Sequence, residues 1–112
     1  MEELRAKMLA ADVIVMASPI YFYSMTAQMK TLIDRTYAFF NELAGKTFYF
    51  IVTCGAPDVS FTETMLASLR GFTCCVPEAK EGGVVLGVGA MEAGDIRKTD
   101  AMAQAYEMGK NV

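Results

Sequence analysis

Residues Asp12–Arg35 read DVIVMASPIYFYSMTAQMKTLIDR, a pattern that indicates a strand, an aromatic loop and a helix in that order. The apolar run Val13–Ala17 predicts the strand, which stops at Ser18-Pro19. Positions 20–23 carry three aromatic side chains, and Ser24, a residue type favoured at N-caps, is predicted to begin the helix. This layout is typical of a ligand-binding loop at the carboxyl end of a parallel strand.

The composition predicts one small domain with an ample apolar core. The chain has 112 residues, of which 54% are hydrophobic. Its net charge is -3, with acidic and basic residues interspersed, which argues against a nucleic-acid-binding surface. The longest apolar runs are about half of the ~20 residues that a membrane-spanning helix needs, and no secretory signal pattern is visible. We therefore expect partners other than nucleic acid or membrane.

The reactive residue types restrict the chemistry. The chain has three cysteines and no histidine, so Ser–His and Cys–His nucleophilic mechanisms are excluded. An odd number of cysteines without a CxxC motif argues against a structural zinc site and a disulfide framework. Free thiols are typical of a reducing cytoplasm, which is the expected location. Chemistry would therefore come from a bound cofactor.

Three further helices and two further strands are predicted around this stretch. The helices are Glu2–Ala10, residues 60–76 with capping-box spacing between Ser60 and Glu63, and a last helix capped by Thr99 and ended by Gly109; the strands are Thr47–Thr53 and Gly83–Gly89. Spacings of three and four predict buried faces on the second helix (Met25, Met29, Leu32, Ile33, Tyr37, Phe40) and the third (Phe61, Met65, Leu69, Phe72, Val76).

This alternation of helices and strands predicts an α/β fold, with a parallel sheet covered by helices on both faces. In such sheets, ligands bind at the carboxyl ends of the strands. Three loops are expected to meet there: Ser18–Ser24, Cys54–Ser60 and Ala90–Lys98.

Three segments carry a resemblance to a known family. They are SPIYFYSMTAQMKTLIDR at positions 18–35, TCGAP at 53–57, and GVVLGVGA with MEAGDIRKTDAMAQAYEMGK at 83–110. Together, and in this order, they resemble the flavodoxin-like NAD(P)H-dependent FMN reductases and multimeric flavodoxins, a group that includes iron–sulfur flavoproteins and quinone reductases. The resemblance implies that residues 1–112 form a single flavodoxin-like domain, the C-terminal portion of the family fold, whose strands are equivalent to the third, fourth and fifth.

The same resemblance implies an FMN site and a redox activity. A hydride would pass from NAD(P)H through the flavin to a quinone, a free flavin or a similar small acceptor, with no catalytic side chain from this chain. The positions that match the family's flavin contacts are Pro19, Ile20, Tyr21, Phe22, Tyr23, Ser24, Thr53, Cys54 and Gly55.

The resemblance begins at the family's second helix. The first two strands, the first helix and the Ser/Gly/Asn/Thr-rich loop that holds the FMN phosphate have no counterpart in these residues, and neither has the cysteine cluster of the iron–sulfur members. We therefore expect that this chain alone binds FMN weakly or not at all. A non-catalytic truncated oligomer and a half-protein completed by a separate partner remain open as alternatives.

The missing first strand would lie beside Val13–Ala17, so this strand is expected to form an exposed apolar edge. We predict a homo-oligomer with that edge in or near the interface.

Other interpretations of the same residues stay open. The cluster Tyr21-Phe22-Tyr23 is also compatible with a hydrophobic plug or an oligomer contact. The adjacent Cys74 and Cys75 are expected to be buried packing residues, and Asp95 and Arg97 to be surface charges of a loop.

Overall fold

All 112 residues are described by a computed structural model, in which helices and strands alternate along the chain. The helices are α1 (Glu2–Ala10), α2 (Ala27–Arg35), α3 (Glu63–Cys75) and α4 (Ala101–Lys110); the strands are β1 (Val13–Pro19), β2 (Thr47–Thr53) and β3 (Lys80–Gly87). Short 3₁₀ helices occupy Thr36–Ala38, Phe40–Leu43, Val59–Thr62 and Asp95–Lys98. No helix has the length and apolar character needed to cross a membrane.

The three strands form one parallel sheet in the order β1-β2-β3. The predicted α/β class and parallel sheet are therefore confirmed. Strand β2 is central, and β1 and β3 each have one neighbour. Because the strands are parallel, the loops that follow them gather at one edge of the sheet.

The core lies on the first face of the sheet. Alternate residues of β2, Phe48, Phe50 and Val52, are fully buried there because a strand directs every second side chain to the same face. They join an apolar cluster with Met65 and Leu69 of α3, to which α1 and β1 contribute further residues and against which α2 packs. Helices α1, α2 and α3 therefore cover this face.

The second face is covered only in part. Met108 of α4 lies close to Gly83 of β3, and α4 residues share a small cavity with Tyr49 and Ile51 of β2. Beyond α4, Val15 of β1 is 55% exposed and Ala17 is also exposed. Helices thus lie on both faces, as expected, but the second face of β1 is left exposed at Val15 and Ala17.

The start and end of α2 differ from the predictions. Strand β1 continues to Pro19, and the N-cap of α2 is Thr26 rather than Ser24; the Thr26 hydroxyl accepts a hydrogen bond from Met29 N–H at 3.2 Å. The α-helix ends at Arg35 and continues as 3₁₀ turns, so the helical period is lost. Tyr37 is consequently 81% exposed, and its assignment to the buried face was wrong.

The boundaries of the later elements also shift. A 3₁₀ turn, capped by Asp58 rather than by a Ser60–Glu63 capping box, precedes α3. Strand β3 begins at Lys80 and ends at Gly87, before the left-handed Gly89 (φ +73°). The N-cap of α4 is Asp100 rather than the predicted Thr99, although the Thr99 hydroxyl accepts a hydrogen bond from Ala101 N–H at 3.2 Å, and the helix continues past Gly109 to Lys110.

The adjacent cysteines are a further correction. Cys74 and Cys75 are both exposed, whereas burial was predicted. They occupy the last two positions of α3 and lie off the helix face that packs on the sheet, since that face runs through Leu69 and Phe72 to the buried Val76.

Candidate functional site

A groove of about 260 Å³ lies where the loops after β1, β2 and β3 meet. Its lining residues are uncharged and mostly apolar: Ile20, Phe22, Tyr23, Cys54, Gly55, Ala56, Phe61 and Met91. Each of the three loops expected at the carboxyl ends of the strands contributes to it.

The loop after β1 forms a tight turn with unusual backbone angles. Tyr21 N–H donates to Ser24 O at 2.9 Å, and Ser24 N–H donates to Tyr21 O at 3.2 Å. The two central residues, Phe22 (φ +50°) and Tyr23 (φ +67°), are both left-handed, although neither is glycine. Phe22 is 100% exposed, so no packing within the chain offsets this strain. Backbone strain of this kind is concentrated at ligand-binding and active sites.

The base of the turn is held firmly. The buried Ser18 hydroxyl accepts from Thr26 N–H at 3.1 Å and donates to Pro19 O at 2.8 Å. Ile20 N–H donates to Thr53 O at 2.8 Å, which ties the loop to the end of β2. These hydrogen bonds therefore hold the aromatic turn in one position at the end of β1.

One wall of the groove is an aromatic pair. The rings of Tyr23 and Phe61 are stacked, with centroids 6.0 Å apart and an interplanar angle of 27°. Phe61 lies in the 3₁₀ turn that Asp58 caps by accepting from Ser60 N–H at 2.8 Å. This backbone hydrogen bond, followed by one from the Ser60 side chain, lowers the pKa of the Asp58 carboxyl.

The opposite side joins the loops after β2 and β3. Gly55 lies against Met91: an added Cβ would lie 2.8 Å from Sδ and Cε of that exposed, flexible side chain, which would have to move aside. Ala90 N–H donates to Cys54 O at 3.0 Å, and Gly89 N–H donates to Ala56 O at 2.8 Å. The Cys54 thiol is buried and contacts Ala56 O at 3.5 Å.

Main-chain donors of the groove are available to a ligand. The N–H groups of Phe22, Tyr23, Gly55 and Ala56 donate to no acceptor within the chain. A complete small-molecule pocket usually measures about 300–1,000 Å³. Apolar and aromatic walls combined with free N–H donors fit a planar heteroaromatic ring such as that of a flavin, and the volume fits part of such a ligand.

The structure places the nine predicted flavin contacts at one edge of the sheet, in three positions. Ile20, Phe22, Tyr23, Cys54 and Gly55 line the groove; Pro19 and Thr53 end their strands; Tyr21 and Ser24 close the turn. Whether they contact a flavin stays a prediction.

Sequence reasoning missed three residues of the groove: Ala56, Phe61 and Met91. Ala56 and Met91 lie in loops that were expected at this edge, so their position was a usable signal. Phe61 was assigned to the buried face of α3, but it lies before the helix, in the 3₁₀ turn, and is partly exposed.

Comparison with known proteins identifies the family. The family model for NADPH-dependent FMN reductases matches residues 1–78, about two thirds of the chain. The chain belongs to the NADPH-dependent FMN reductase family. Among curated proteins, the chain is 34% identical over 98 residues to FMN-dependent NADH:quinone oxidoreductase 2 of Pseudomonas aeruginosa. That alignment covers 86% of this chain and 41% of the relative, so the chain spans less than half of the relative's length.

Solved structures of the family's fold agree. The Trp repressor binding protein from Bacillus subtilis matches with a TM-score of 0.85 at 21% identity, covering 96% of this chain and 74% of that one. A flavodoxin, the WrbA-like protein from Agrobacterium tumefaciens, matches with a TM-score of 0.66 at 18% identity, covering 96% of this chain and 74% of that one. At these identities the match establishes the flavodoxin-like fold.

Proposed function

We propose that the groove binds the isoalloxazine ring of FMN, as the ring-side half of the flavin site of an NAD(P)H-dependent oxidoreductase. The observation that carries this proposal is the strained turn Tyr21–Ser24, which presents a fully exposed Phe22 at the edge of the groove. The relative from P. aeruginosa, an FMN-dependent NADH:quinone oxidoreductase, supports a quinone or a similar small molecule as the acceptor.

In this proposal the chain positions the flavin and does not react with it. Phe22, Tyr23 and Phe61 offer apolar ring faces, and the free N–H groups of the groove offer donors to ring oxygen and nitrogen atoms. When FMN is bound, the cofactor supplies hydride transfer between the nicotinamide and the acceptor. The lining contains no charged side chain, so the chain contributes orientation and water exclusion rather than an acid or a base.

Because the groove is lined by uncharged residues, we expect these residues alone to bind the phosphate of FMN weakly. A hydrogen bond to a charged group contributes roughly 1.5–3 kcal/mol, so about four missing phosphate contacts remove on the order of 6 kcal/mol. This loss corresponds to about four decades of affinity, which would turn a nanomolar site into one of roughly tens of micromolar.

Titration of the 112-residue chain with FMN and with riboflavin, followed by flavin fluorescence and calorimetry, tests both parts of the proposal. We expect both flavins to bind with similar, weak affinity, since the two ligands share the ring and differ in the phosphate. Phe22→Ala should weaken both equally. If neither flavin binds at millimolar concentration, the ring site is contradicted. A tenfold or larger preference for FMN over riboflavin contradicts the absence of phosphate contacts.

We further propose that the chain self-associates through β1. This strand has one hydrogen-bonded neighbour, and its second face exposes Val15 and Ala17. An unpaired apolar strand edge is a template for pairing with another chain. Light scattering at micromolar concentration should give a mass above that of one chain; a monomer would contradict the proposal.

A further inference from the structure

The two edge strands of the sheet differ in how well they resist pairing with another chain. Strand β3 begins with the charged Lys80 and Glu81, and its pairing with β2 shifts register at Phe48–Tyr49. Charges and irregularities of this kind discourage the addition of a further strand. Strand β1 has no charged residue from Val13 to Pro19, and it keeps one register with β2 throughout. It is therefore the regular, uncharged edge of the sheet.

The main-chain groups of β1 that face the free edge follow from its bonds to β2. Asp12 O accepts from Thr47 N–H at 3.1 Å, and Ile20 N–H donates to Thr53 O at 2.8 Å. The N–H and C=O groups of successive strand residues point to alternate sides, so the even-numbered residues of this stretch bond to β2. The N–H groups that face the free edge are therefore those of Val13, Val15 and Ala17.

We propose that two copies of the chain pair through this edge as antiparallel strands, with Val15 opposite Val15 of the second copy. This pairing rests on the self-association through β1 proposed above and fixes its geometry. Val13 then lies opposite Ala17 of the second copy, so the free N–H groups meet free carbonyls, and each opposed pair exchanges two hydrogen bonds. The two three-stranded sheets become one continuous sheet around a two-fold axis.

A register centred one residue later forms fewer hydrogen bonds. A symmetric antiparallel pair is centred on one residue, which meets its own counterpart. If Met16 were central, Val13 would lie opposite Pro19, which has no N–H to donate. That register leaves the Val13 carbonyl of each copy without a partner.

A register centred one residue earlier meets groups that are already bonded. If Ile14 were central, Ala17 would lie opposite Ala11. The Ala11 N–H already donates to Lys7 O at 3.1 Å, and the Ala11 carbonyl already accepts from Lys46 Nζ. Ala17 would then face no free N–H group, so the register centred on Val15 is the one that the main chain favours.

The side chains on the first face also fit this register. Ile14 and Met16 line an apolar cavity of about 150 Å³ beside β1, together with residues of α1 and α2. The register centred on Val15 places Met16 of the second copy opposite Ile14, in a pair without hydrogen bonds, where side chains lie closest. A methionine side chain is flexible enough to fill an irregular cavity. Pairing therefore buries apolar surface beside the new hydrogen bonds.

Disulfide trapping at position 15 tests the register. Val15→Cys is introduced into a chain that also carries Cys74→Ser and Cys75→Ser, since those two native thiols are exposed. The two opposed Cα atoms would lie about 5.5 Å apart, which is within the span of a disulfide. We expect mild oxidation to give a covalent dimer, and peptide mass spectrometry to find it joined at position 15 of both copies.

Further variants in the same background separate this register from others. Val13→Cys alone and Ala17→Cys alone should not crosslink, because the equivalent residues would lie about four positions, or roughly 14 Å, apart. A mixture of these two variants should crosslink one to the other. Val59→Cys is the matched control for random collision, since Val59 is 55% exposed, as Val15 is, but lies in the 3₁₀ turn before α3.

Ala17→Pro tests the hydrogen bonds of the edge. The substitution removes an N–H that β2 does not use, so circular dichroism should show a folded chain. Loss of this donor from each copy should weaken association roughly tenfold in sedimentation experiments. Ala17→Ser keeps the N–H, and as the matched control it should associate like the parent.

The outcomes distinguish this pairing from the proposals that precede it. A dimer that forms without crosslinking at position 15, or that is unaffected by Ala17→Pro, would overturn the pairing and leave self-association standing. A chain that stays monomeric would overturn both. Neither result bears on the flavin site, which the titration with FMN and riboflavin measures separately.

Discussion

At the scale of single residues, the left-handed backbone of Phe22 and Tyr23 gives the main support for the proposed flavin site. A left-handed backbone costs a non-glycine residue roughly 1–2 kcal/mol. Both residues adopt it in succession, and the Phe22 side chain regains nothing by packing. Folding stability alone would favour glycine at position 22, and this cost supports the proposal that the exposed ring contacts a ligand outside the chain.

We therefore expect Phe22→Gly to be more stable than Phe22→Ala by about 1 kcal/mol, because only glycine relieves the strain. Both variants should lose flavin affinity to the same extent, since both lack the ring. Chemical denaturation and flavin titration of the two proteins provide the measurement. Equal stability would show that the turn is not strained, and a flavin affinity equal to that of the parent would remove Phe22 from the site.

Ser18 also has a role that only the tertiary structure shows. Its hydroxyl satisfies Thr26 N–H at the start of α2 while it lies buried beneath the aromatic turn. Ser18→Ala should reduce the free energy of unfolding by about 1–3 kcal/mol, because a buried donor is left without a partner.

Ser68→Ala is the matched control for this substitution. The Ser68 hydroxyl also bonds to the main chain, donating to Thr64 O at 3.1 Å, but it does so on the exposed side of α3. Denaturant unfolding should show little change or a slight gain for Ser68→Ala, since alanine is the better helix former. A loss as large as that of Ser18→Ala would indicate that burial is not the cause.

At the scale of elements, the aromatic turn delays the start of α2. Ser24 is used to close the turn with Tyr21, and it is therefore not available as an N-cap. The chain becomes helical only after Thr26, whose hydroxyl takes that role. The loop that presents Phe22 and the helix that supports it thus share a short connection of fixed geometry.

Thr26→Ala should therefore cost about 1 kcal/mol of stability through the lost cap, while Ser24→Ala should cost little. Thermal unfolding followed by circular dichroism compares the two proteins. The reverse order of effects would restore Ser24 as the N-cap and would contradict the helix start described above.

At the scale of the whole molecule, the sheet is covered unequally. Three helices enclose the first face, whereas α4 covers the second face mainly over β2 and β3 and leaves Val15 and Ala17 of β1 exposed. The unpaired edge and the exposed Val15 and Ala17 coincide on β1, and this coincidence supports the proposal that chains associate through this strand.

Val15→Lys should therefore reduce self-association, because a lysine on an edge strand opposes pairing with another chain. Met102→Lys is the matched control, since Met102 is also 55% exposed but lies on α4. Sedimentation of both variants over a range of concentrations provides the measurement. Equal association of the two variants would place the interface elsewhere.

Local periodicity was sufficient for the order of elements, the bounds of α1 and β2, and the parallel sheet. Helical spacing and unbroken apolar runs are properties of neighbouring residues, and they persist whatever the rest of the chain does. The same alternation located the loops of the groove, and the motif resemblance led to the family. The end of α2 was not predictable in this way, because its apolar spacing continues past Arg35 while the backbone tightens into 3₁₀ turns.

The tertiary structure alone decided which side chains share a surface. Phe61 and Met91 lie in separate loops, and they meet the aromatic turn only because parallel strands end at one edge of the sheet. The exposure of Cys74 and Cys75, and of Val15 and Ala17 on β1, depends on which side chains the neighbouring elements cover. Burial is set by contacts between distant segments, and a one-dimensional pattern does not contain those contacts.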